Sequence, residues 1–378
     1  MAWVEKRGTK FRVRLRMPDG TVTTDSTHPR RADAVLRAKE IDVDVARDTF
    51  IDPRNGRIPL REWVDIWQAT HQAAPSTWSA YRSHLRIHIL PNLGDLALVD
   101  IRRQHIKTLA VTLGQRLAPR STADVIMVLS MVLQEAVEDR RIPFNPCRGL
   151  RLHKGIQPER PHATAEQVAA IVARQRRPSD GLMILTAAYT GMRWGELAGL
   201  SRDNLDLTAG TIYVHPQVGA LHEVDGKLFL GPPKTNDSVR RVMLPRFLVN
   251  LLAVGLTEHH HATVFPGERG AYQRRSNFNR RAWSPAVSGA PGRGIEPILT
   301  GMHFHDLRHT HKTWLIEDEI PEVAQARRLG HRLAGVRGIY SHVTETMQQK
   351  LVDALQRRWE STQFHRPDTI VRRLRNTA

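Results

Sequence analysis

Between His305 and Tyr340 the chain carries His305, Arg308, His331 and Tyr340, each beside a helix-boundary signal. His305 and Arg308 are three residues apart near the start of a predicted helix, so they can share one face. A helix N-terminus flanked by His and Arg is a seat for an anionic oxygen. Pro321 reads as the first turn of a second helix, Val323, Ala326 and Leu329 as its apolar stripe, and Gly330 as its stop. His331 then lies just past a helix end. A basic surface helix with an ordinary buried tyrosine fits this stretch equally well when it is taken alone.

Two upstream motifs carry further polar groups. The apolar run Leu182 to Tyr189 reads as a helix ended by Thr190-Gly191. Arg193 and Glu196 follow, three apart on a helix whose inner side is Leu197 and Leu200. They form either a surface ion pair worth a few tenths of a kcal/mol (about 0.2–0.5), or a carboxylate that fixes the guanidinium for a ligand. Thr211 to Val214, Lys227 to Leu230 and Val239 to Leu244 are β-rich. Asn236-Asp237 between the last two is turn chemistry, which puts Lys234 near a hairpin tip. A lone hairpin lysine is usually solvated. The place of Lys234 between two arginine-bearing motifs raises its standing.

Taken in order, the motifs are Thr190-Gly191-Met192-Arg193-Trp194-Gly195-Glu196-Leu197, Pro233-Lys234-Thr235, His305-Asp306-Leu307-Arg308-His309-Thr310, Leu329-Gly330-His331 and Tyr340. Together they resemble the tyrosine recombinase (phage integrase) family, in particular the integrases of actinobacterial phages and integrative elements. The combination is far more specific than any one motif. The resemblance implies site-specific DNA strand exchange without metal, ATP or cofactor. Tyr340 corresponds to the nucleophile, which attacks a DNA phosphodiester, forms a 3′-phosphotyrosyl link and releases a 5′-hydroxyl. Lys234 is implied as general acid for that 5′-oxygen. His305 would assist proton transfer at the tyrosine, His331 would donate a hydrogen bond to the phosphate, and Glu196 would play a supporting role.

Elementary chemistry agrees with these roles. A pentacoordinate phosphoryl transition state carries extra negative charge on its non-bridging oxygens. Two planar guanidiniums, Arg193 and Arg308, can clamp it bidentately as lysines cannot. A phenol titrates near ~10, so Tyr340 needs neighbouring cations or a base to act near neutrality.

These groups must be positioned by the rest of the chain. The fold expected is multidomain α+β: a small N-terminal β-sheet plus helix, a helical core-binding bundle, and a mostly α catalytic domain with a three-stranded antiparallel sheet. Lys10 to Arg16 alternates strictly, with Phe11, Val13 and Leu15 on one strand face and Lys10, Arg12, Arg14 and Arg16 on the other. Those four cations are candidate DNA contacts for a strand pair in a groove, or a charge-protected sheet edge. Ala32 to Val45 backs the sheet as a helix, with Ala34, Val35, Ala38, Ile41 and Val45 inward. Residues 1–56 are thus an expected arm-type DNA-binding domain.

Residues 57–150 are the expected core-binding domain. Its helices are signalled by Leu60, Trp63, Val64 and Trp67, by Ser76 as a cap, and by the runs Ile101 to Leu113 and Pro119 to Val137. Arg82, Arg86, Arg102, Arg103, Lys107, Arg116 and Arg120 lie on or between them, without an assigned face. Residues 151–163 read as a linker. Thr164-Ala165-Glu166-Gln167 fits a capping box that opens the catalytic domain, 164–360. A loop of unassigned role spans Ser284 to Thr300, and 361–378 is a basic tail. Before the tail, Thr344 can cap a helix with Met347, Leu351 and Leu355 as its stripe.

The 378 residues include 56 Lys and Arg against 38 Asp and Glu, a formal charge of +18. That favours a polyanionic partner, although an arginine-rich genome would give the same balance. The one cysteine, Cys147, excludes an intrachain disulfide framework. No secretory signal or apolar span is evident, so a cytoplasmic, nucleoid-associated protein without membrane contact is expected. The triplet His259-His260-His261 cannot direct three rings at one ion from a regular element. His303, His305, His309 and His311 lack an HExxH spacing, so no metal site is expected. Expected partners are double-stranded attachment-site DNA and three further copies in a tetramer. A host DNA-bending protein and an excisionase are further candidates. The competing readings are a non-catalytic DNA-binding regulator with the same fold and, further behind, a metal-dependent nuclease.

Overall fold

The computed structural model describes residues 2–17, 19–52, 54–153, 155, 159–290, 292, 294–332 and 342–362. Tyr340 and the tail beyond 362 lie outside the described residues. The chain divides into two units, 1–157 and 158–378.

The first unit has two apolar cores. In the first, strands β1 (Ala2–Arg7), β2 (Lys10–Arg16) and β3 (Val22–His28) form an antiparallel sheet in that order. Period-two alternation sends Val13 and Leu15 inward against Ala34, Ala38 and Ile41 of helix α1 (Arg31–Ala46). Val45, expected inside, is exposed, because the stripe that meets the sheet ends at Ile41. Arg12, Arg14, Lys10 and Arg16 lie on the opposite face. Arg14 is already paired with Glu5 of β1 at 3.1 Å.

The second core joins α2 (Leu60–Thr70), α3 (Pro75–His84), α4 (Leu90–Leu93), α5 (Arg103–Gly114) and α6 (Pro119–Glu138). Trp63, Val64 and Trp67 pack on Val128, Leu129, Val132 and Leu133, and the Trp63 indole donates to the Val132 carbonyl at 2.9 Å. Helix α3 starts at Pro75 after Ala74 rather than at a Ser76 cap. Proline at the first helical position sacrifices no hydrogen bond. The residues Leu85–Ile89 between α3 and α4 form a π-type turn, closed by Leu90 N–H donating to Leu85. Pro91 follows directly. The wider turn accommodates a ring that would strike the carbonyl four residues back. The arginines and the lysine noted on this segment are all exposed.

The second unit is organised on α8 (Pro178–Thr190), where every residue from Asp180 to Thr190 is buried. A helix apolar all round must lie inside. Around it pack α7 (Ala165–Ala173), α9 (Trp194–Ala198), α10 (Arg246–Thr257), α13 (Asp306–Glu317) and the later α15 (Glu345–Glu360). Thr164 accepts from Gln167 N–H and Gln167 returns the bond, the predicted capping box. Strands β4 (Leu205–Asp206), β5 (Thr211–Val214) and β8 (Arg240–Met243) form one small sheet. Strands β6 (Ala220–Val224) and β7 (Lys227–Gly231) form a hairpin of their own. The expectation that the Lys227 strand and the Val239 strand flank one turn is therefore corrected. The hairpin turn is Asp225-Gly226, both with positive φ, the dipeptide that a two-residue turn favours. Short helices α11 (Arg275–Phe278) and α12 (Ser284–Ser288) are joined by a second π-type turn, again just before a proline, Pro285.

Helix α14 (Glu322–Leu329) ends at Gly330 in the left-handed conformation. Helix α15, capped by Thr344, buries Leu351, Leu355 and Trp359 in the core of its own unit, with Trp359 stacked on Phe247 at 4.4 Å. Among the described residues no helix is long and apolar enough to cross a membrane.

Candidate active site

Three helix ends and one strand bring the site together. Helix α8 stops at Gly191, φ +65°, where a Cβ would meet the side chains of Leu329 at 2.6 Å and His311 at 2.8 Å. Only glycine satisfies both the backbone angle and that approach. The chain then turns so that Arg193 becomes the N-cap of α9. Its Nη1 donates to Glu196 Oε1 at 2.9 Å and to Ser238 Oγ at 2.9 Å.

Glu196, 2% exposed, is held between two guanidiniums. Arg240 meets it from β8 with Nη2–Oε2 at 2.9 Å. Burial alone would raise the Glu196 pKa, but Arg240 and then Arg193 hold the carboxyl below its ordinary value. Of the two alternatives for Arg193 and Glu196, the geometry is that of a fixed rotamer: the carboxylate is inside, and the guanidinium is left one-fifth exposed.

Arg308 projects from the first turn of α13, with His305 as the N-cap residue. It is 5% exposed. Its Nη1 donates to the Gly191 carbonyl at 2.6 Å, and its Nη2 to the Leu329 carbonyl and to His331 Nε2, the last at 2.7 Å. Among the described residues no carboxylate touches it. Burial, then the nearby Arg193 and Arg240, push its pKa down to about 9. His331, just past the end of α14, accepts a hydrogen bond from Arg308 and is therefore neutral in this state. Partial burial followed by the Arg308 charge sets its pKa at about 4, and the same causes in the same order set His305 at about 4.

Lys234 is exposed on the connection between β7 and the short turn Asn236–Ser238. Its neighbour Thr235 shares a hydrogen bond with Ser238 Oγ at 2.9 Å, and Ser238 also accepts from Arg193. Gly330, φ +64°, lies against the same turn, where a Cβ would meet Asp237 O and Ser238 Cα at 2.9 Å. The Lys234 connection, Arg193 and the His331 turn thus converge on Ser238.

The structure thus brings together Arg193, Glu196, Arg308 and His331, with His305 and Lys234 at the rim. Lys10, Arg12, Arg14 and Arg16 belong to the first unit. Arg240, Ser238 and Arg328 were not foreseen, and His311 was weighed only as part of a metal cluster. The signal for Arg240 was strand parity: it shares a face with Val242, so a cation was due inside and had to find a partner. Arg328 falls on the buried side of α14 beside Ala324 and Leu329 in the same way. The buried residues of the helix are Ala324, Gln325, Ala326, Arg328 and Leu329, so Ala326 and Leu329 lie inward as expected and Val323 is only half-buried. Among the described residues no group of three His, Cys, Asp or Glu side chains could hold a metal ion.

Among the described residues Arg193, Arg240 and Arg308 gather around one carboxylate, Glu196, and their excess positive charge suits an anion. Residues 162–347 match the phage integrase family model, and residues 60–113 match that of the phage integrase N-terminal SAM-like domain. The chain belongs to the phage integrase family. It is a site-specific tyrosine recombinase, an enzyme of DNA integration and recombination. It is 25% identical over 362 residues to a putative prophage phiRv2 integrase of Mycobacterium tuberculosis, with 92% of each chain covered. The fold matches that of the Tn1549 transposon integrase in complex with a circular intermediate DNA, TM-score 0.64 and 16% identity, over 79% of this chain and 99% of that one. It also matches a lambda integrase tetramer bound to a Holliday junction, TM-score 0.56 and 18% identity, over 91% and 98% of the two chains.

Proposed function

We propose that this integrase cuts and rejoins attachment-site DNA with Arg193, Lys234, His305, Arg308, His331 and Tyr340 as its catalytic residues, integrating or excising a phage or mobile element. The observation that carries the reading is the uncompensated charge of Arg308 beside the Arg193–Glu196–Arg240 cluster. Such a charge is stabilised by a bound phosphate and further stabilised as that phosphate gains negative charge.

Tyr340 Oη attacks the phosphorus and its proton leaves towards His305. The P–Oη bond forms as the P–O5′ bond breaks, and Lys234 supplies the proton that the 5′-oxygen needs. One phosphodiester is exchanged for one 3′-phosphotyrosyl diester, so the bond energy is retained and no nucleotide is consumed. The 5′-hydroxyl of the partner strand reverses the step. His331 changes role on the way. An arriving phosphate competes for the Arg308 proton donors and raises the imidazole pKa, which turns His331 from acceptor to donor. Glu196 holds the Arg193 fork.

The N-terminal sheet with its row of Lys10, Arg12, Arg14 and Arg16 acts as the arm-type domain (1–56). The helical bundle (57–150) binds the core site, and residues 164–360 form the catalytic domain after the 151–163 linker. The basic segment 361–378 serves as the tail. The working assembly is a tetramer on DNA in the cytoplasm, at the nucleoid, a reading supported by the lambda integrase relative. A host bending protein and an excisionase would set its direction.

Incubation with nicked attachment-site DNA tests the reading. A denaturation-resistant adduct forms with the wild type, is lost in Tyr340→Phe and survives chelator. Absence of the wild-type adduct, or an undiminished one in Tyr340→Phe, overturns it and favours a DNA-binding regulator. Loss in chelator favours a metal nuclease.

A further inference from the structure

Arg328 is an arginine 6% exposed, with no carboxylate in contact among the described residues. All its bonds go to neutral acceptors on other elements. Nη2 donates to the Tyr189 carbonyl at the end of α8 at 2.8 Å, and Nη1 to the Met243 carbonyl at the end of β8 at 2.9 Å. Nε donates to His311 Nε2 on α13 at 2.9 Å. Its own carbonyl accepts from Arg240 Nε at 2.6 Å.

His311, fully buried, donates its Nδ1–H to the Ala188 carbonyl at 2.9 Å, which fixes the tautomer that leaves Nε2 free to accept. Its pKa is driven far below the ordinary value, first by burial and then by Arg328. The pair is one neutral imidazole and one cation, so protonating His311 would break the bond.

Each element tied by Arg328 delivers one group of the site. Helix α8 leads to Gly191 and Arg193, β8 begins at Arg240, and α13 carries Arg308 one turn before His311. Arg328 itself is followed by Leu329, Gly330 and His331. A cation buried without a counter-ion is expensive, and an apolar side chain would fill the same space. What an apolar side chain cannot do is make directional bonds to three elements at once, a geometry suited to the guanidinium fork.

We propose that Arg328, held by His311, is a positioning residue for DNA cleavage: it sets the spacing of Arg193, Arg308 and His331 without touching the DNA. This rests on the catalytic reading above. Displacing reacting groups by about 1 Å lowers rates by about 10²-fold, so the effect belongs on the chemical step and not on DNA affinity.

The test uses the full chain with Arg328→Lys and Arg328→Met, read by single-turnover adduct formation, by attachment-site affinity and by NMR titration of His331. Expected for Arg328→Lys is cleavage lowered at least about tenfold, affinity within about threefold, and a His331 pKa moved up from about 4. Wild-type cleavage, or cleavage and affinity falling together, overturns the proposal.

If the Arg328 variants do not fold, His311 decides. His311→Gln keeps an acceptor for Arg328 and should retain cleavage, whereas His311→Leu should lose it with affinity kept. Equal activity of the two variants overturns the proposal. If the wild type itself forms no Tyr340-dependent adduct, the catalytic reading is what has failed. The His331 titration then still tests the positioning, and an unmoved His331 pKa in Arg328→Lys overturns it.

Discussion

Arg308 carries its charge in a place that water has largely left, with carbonyls and a neutral imidazole as its partners. Arg193 is placed differently, tethered to Glu196 with one side open. Removing either by substitution with alanine should lower cleavage by about 10²–10³, by analogy with lost oxyanion donors, while DNA affinity changes little. Single-turnover cleavage beside a binding titration checks this, and normal cleavage by either variant would disprove the clamp.

Glu196→Ala has the opposite signature. It leaves Arg240, whose side chain has no exposed surface, without its carboxylate, and such a loss destabilises by about 3–5 kcal/mol. Denaturant unfolding reads it directly. The histidines give a pH dependence. His305 and His331 have pKa values of about 4 in the folded chain against an ordinary 6.5. Between those pH values the unfolded chain binds more protons, so stability rises with pH there. The DNA-free protein should therefore lose thermal stability as pH falls from 6.5 towards 4. A titration in which its melting temperature stays flat or rises over that range would contradict the lowered pKa values of these two rings.

At the scale of elements, the site is a meeting of ends: the stop of α8, the start of α13, the stop of α14 and the connection that follows β7. Gly330 sits where two of these touch. Gly330→Ala places a Cβ against Asp237 and Ser238 at a positive φ. It should destabilise by more than about 1 kcal/mol and slow cleavage by separating the His331 turn from Ser238. A variant with unchanged melting and unchanged cleavage would show the contact to be dispensable.

These ends were legible in sequence because punctuation residues mark them: Gly191, Gly330 and the Thr164 capping box act as read, and Pro321, read as the first helical turn, stands one place earlier as the N-cap. The hairpin was not. Attention to Asn236-Asp237 drew the turn next to Lys234, whereas Asp225-Gly226 forms it and Lys234 follows the second strand. Arg240 and Arg328 escaped because they obey the periodicity of their elements but not its chemistry. Buried cations look like surface cations until tertiary structure supplies Glu196 and His311. The role of Tyr340 came from motif order alone, and the described residues do not include it.

At the scale of the molecule, the described residues form three apolar cores in a chain of formal charge +18. Four cations lie along one face of the N-terminal sheet, and the helical core of the first unit carries further exposed arginines. Binding to attachment-site DNA should therefore be dominated by counter-ion release. A protein making six to ten phosphate contacts loses about 10³–10⁵ in affinity between ~50 and ~200 mM salt. A filter-binding series in salt measures the slope. A flat response would mean that the basic surface faces something other than a phosphate backbone.

Arg308 has no carboxylate partner among the described residues because the reacting phosphate supplies its counter-ion. Replacing one non-bridging oxygen at the cleavage position with a methyl group removes the negative charge while leaving the bonds to be broken in place. Cleavage rates of wild type and Arg308→Ala on the phosphodiester and on this methylphosphonate form a double-mutant cycle. Arg308→Ala should be severely impaired on the charged substrate and far less impaired on the neutral one. An equal loss on both substrates would contradict it, and Arg308 would then serve the fold instead of the charge that develops on the phosphate.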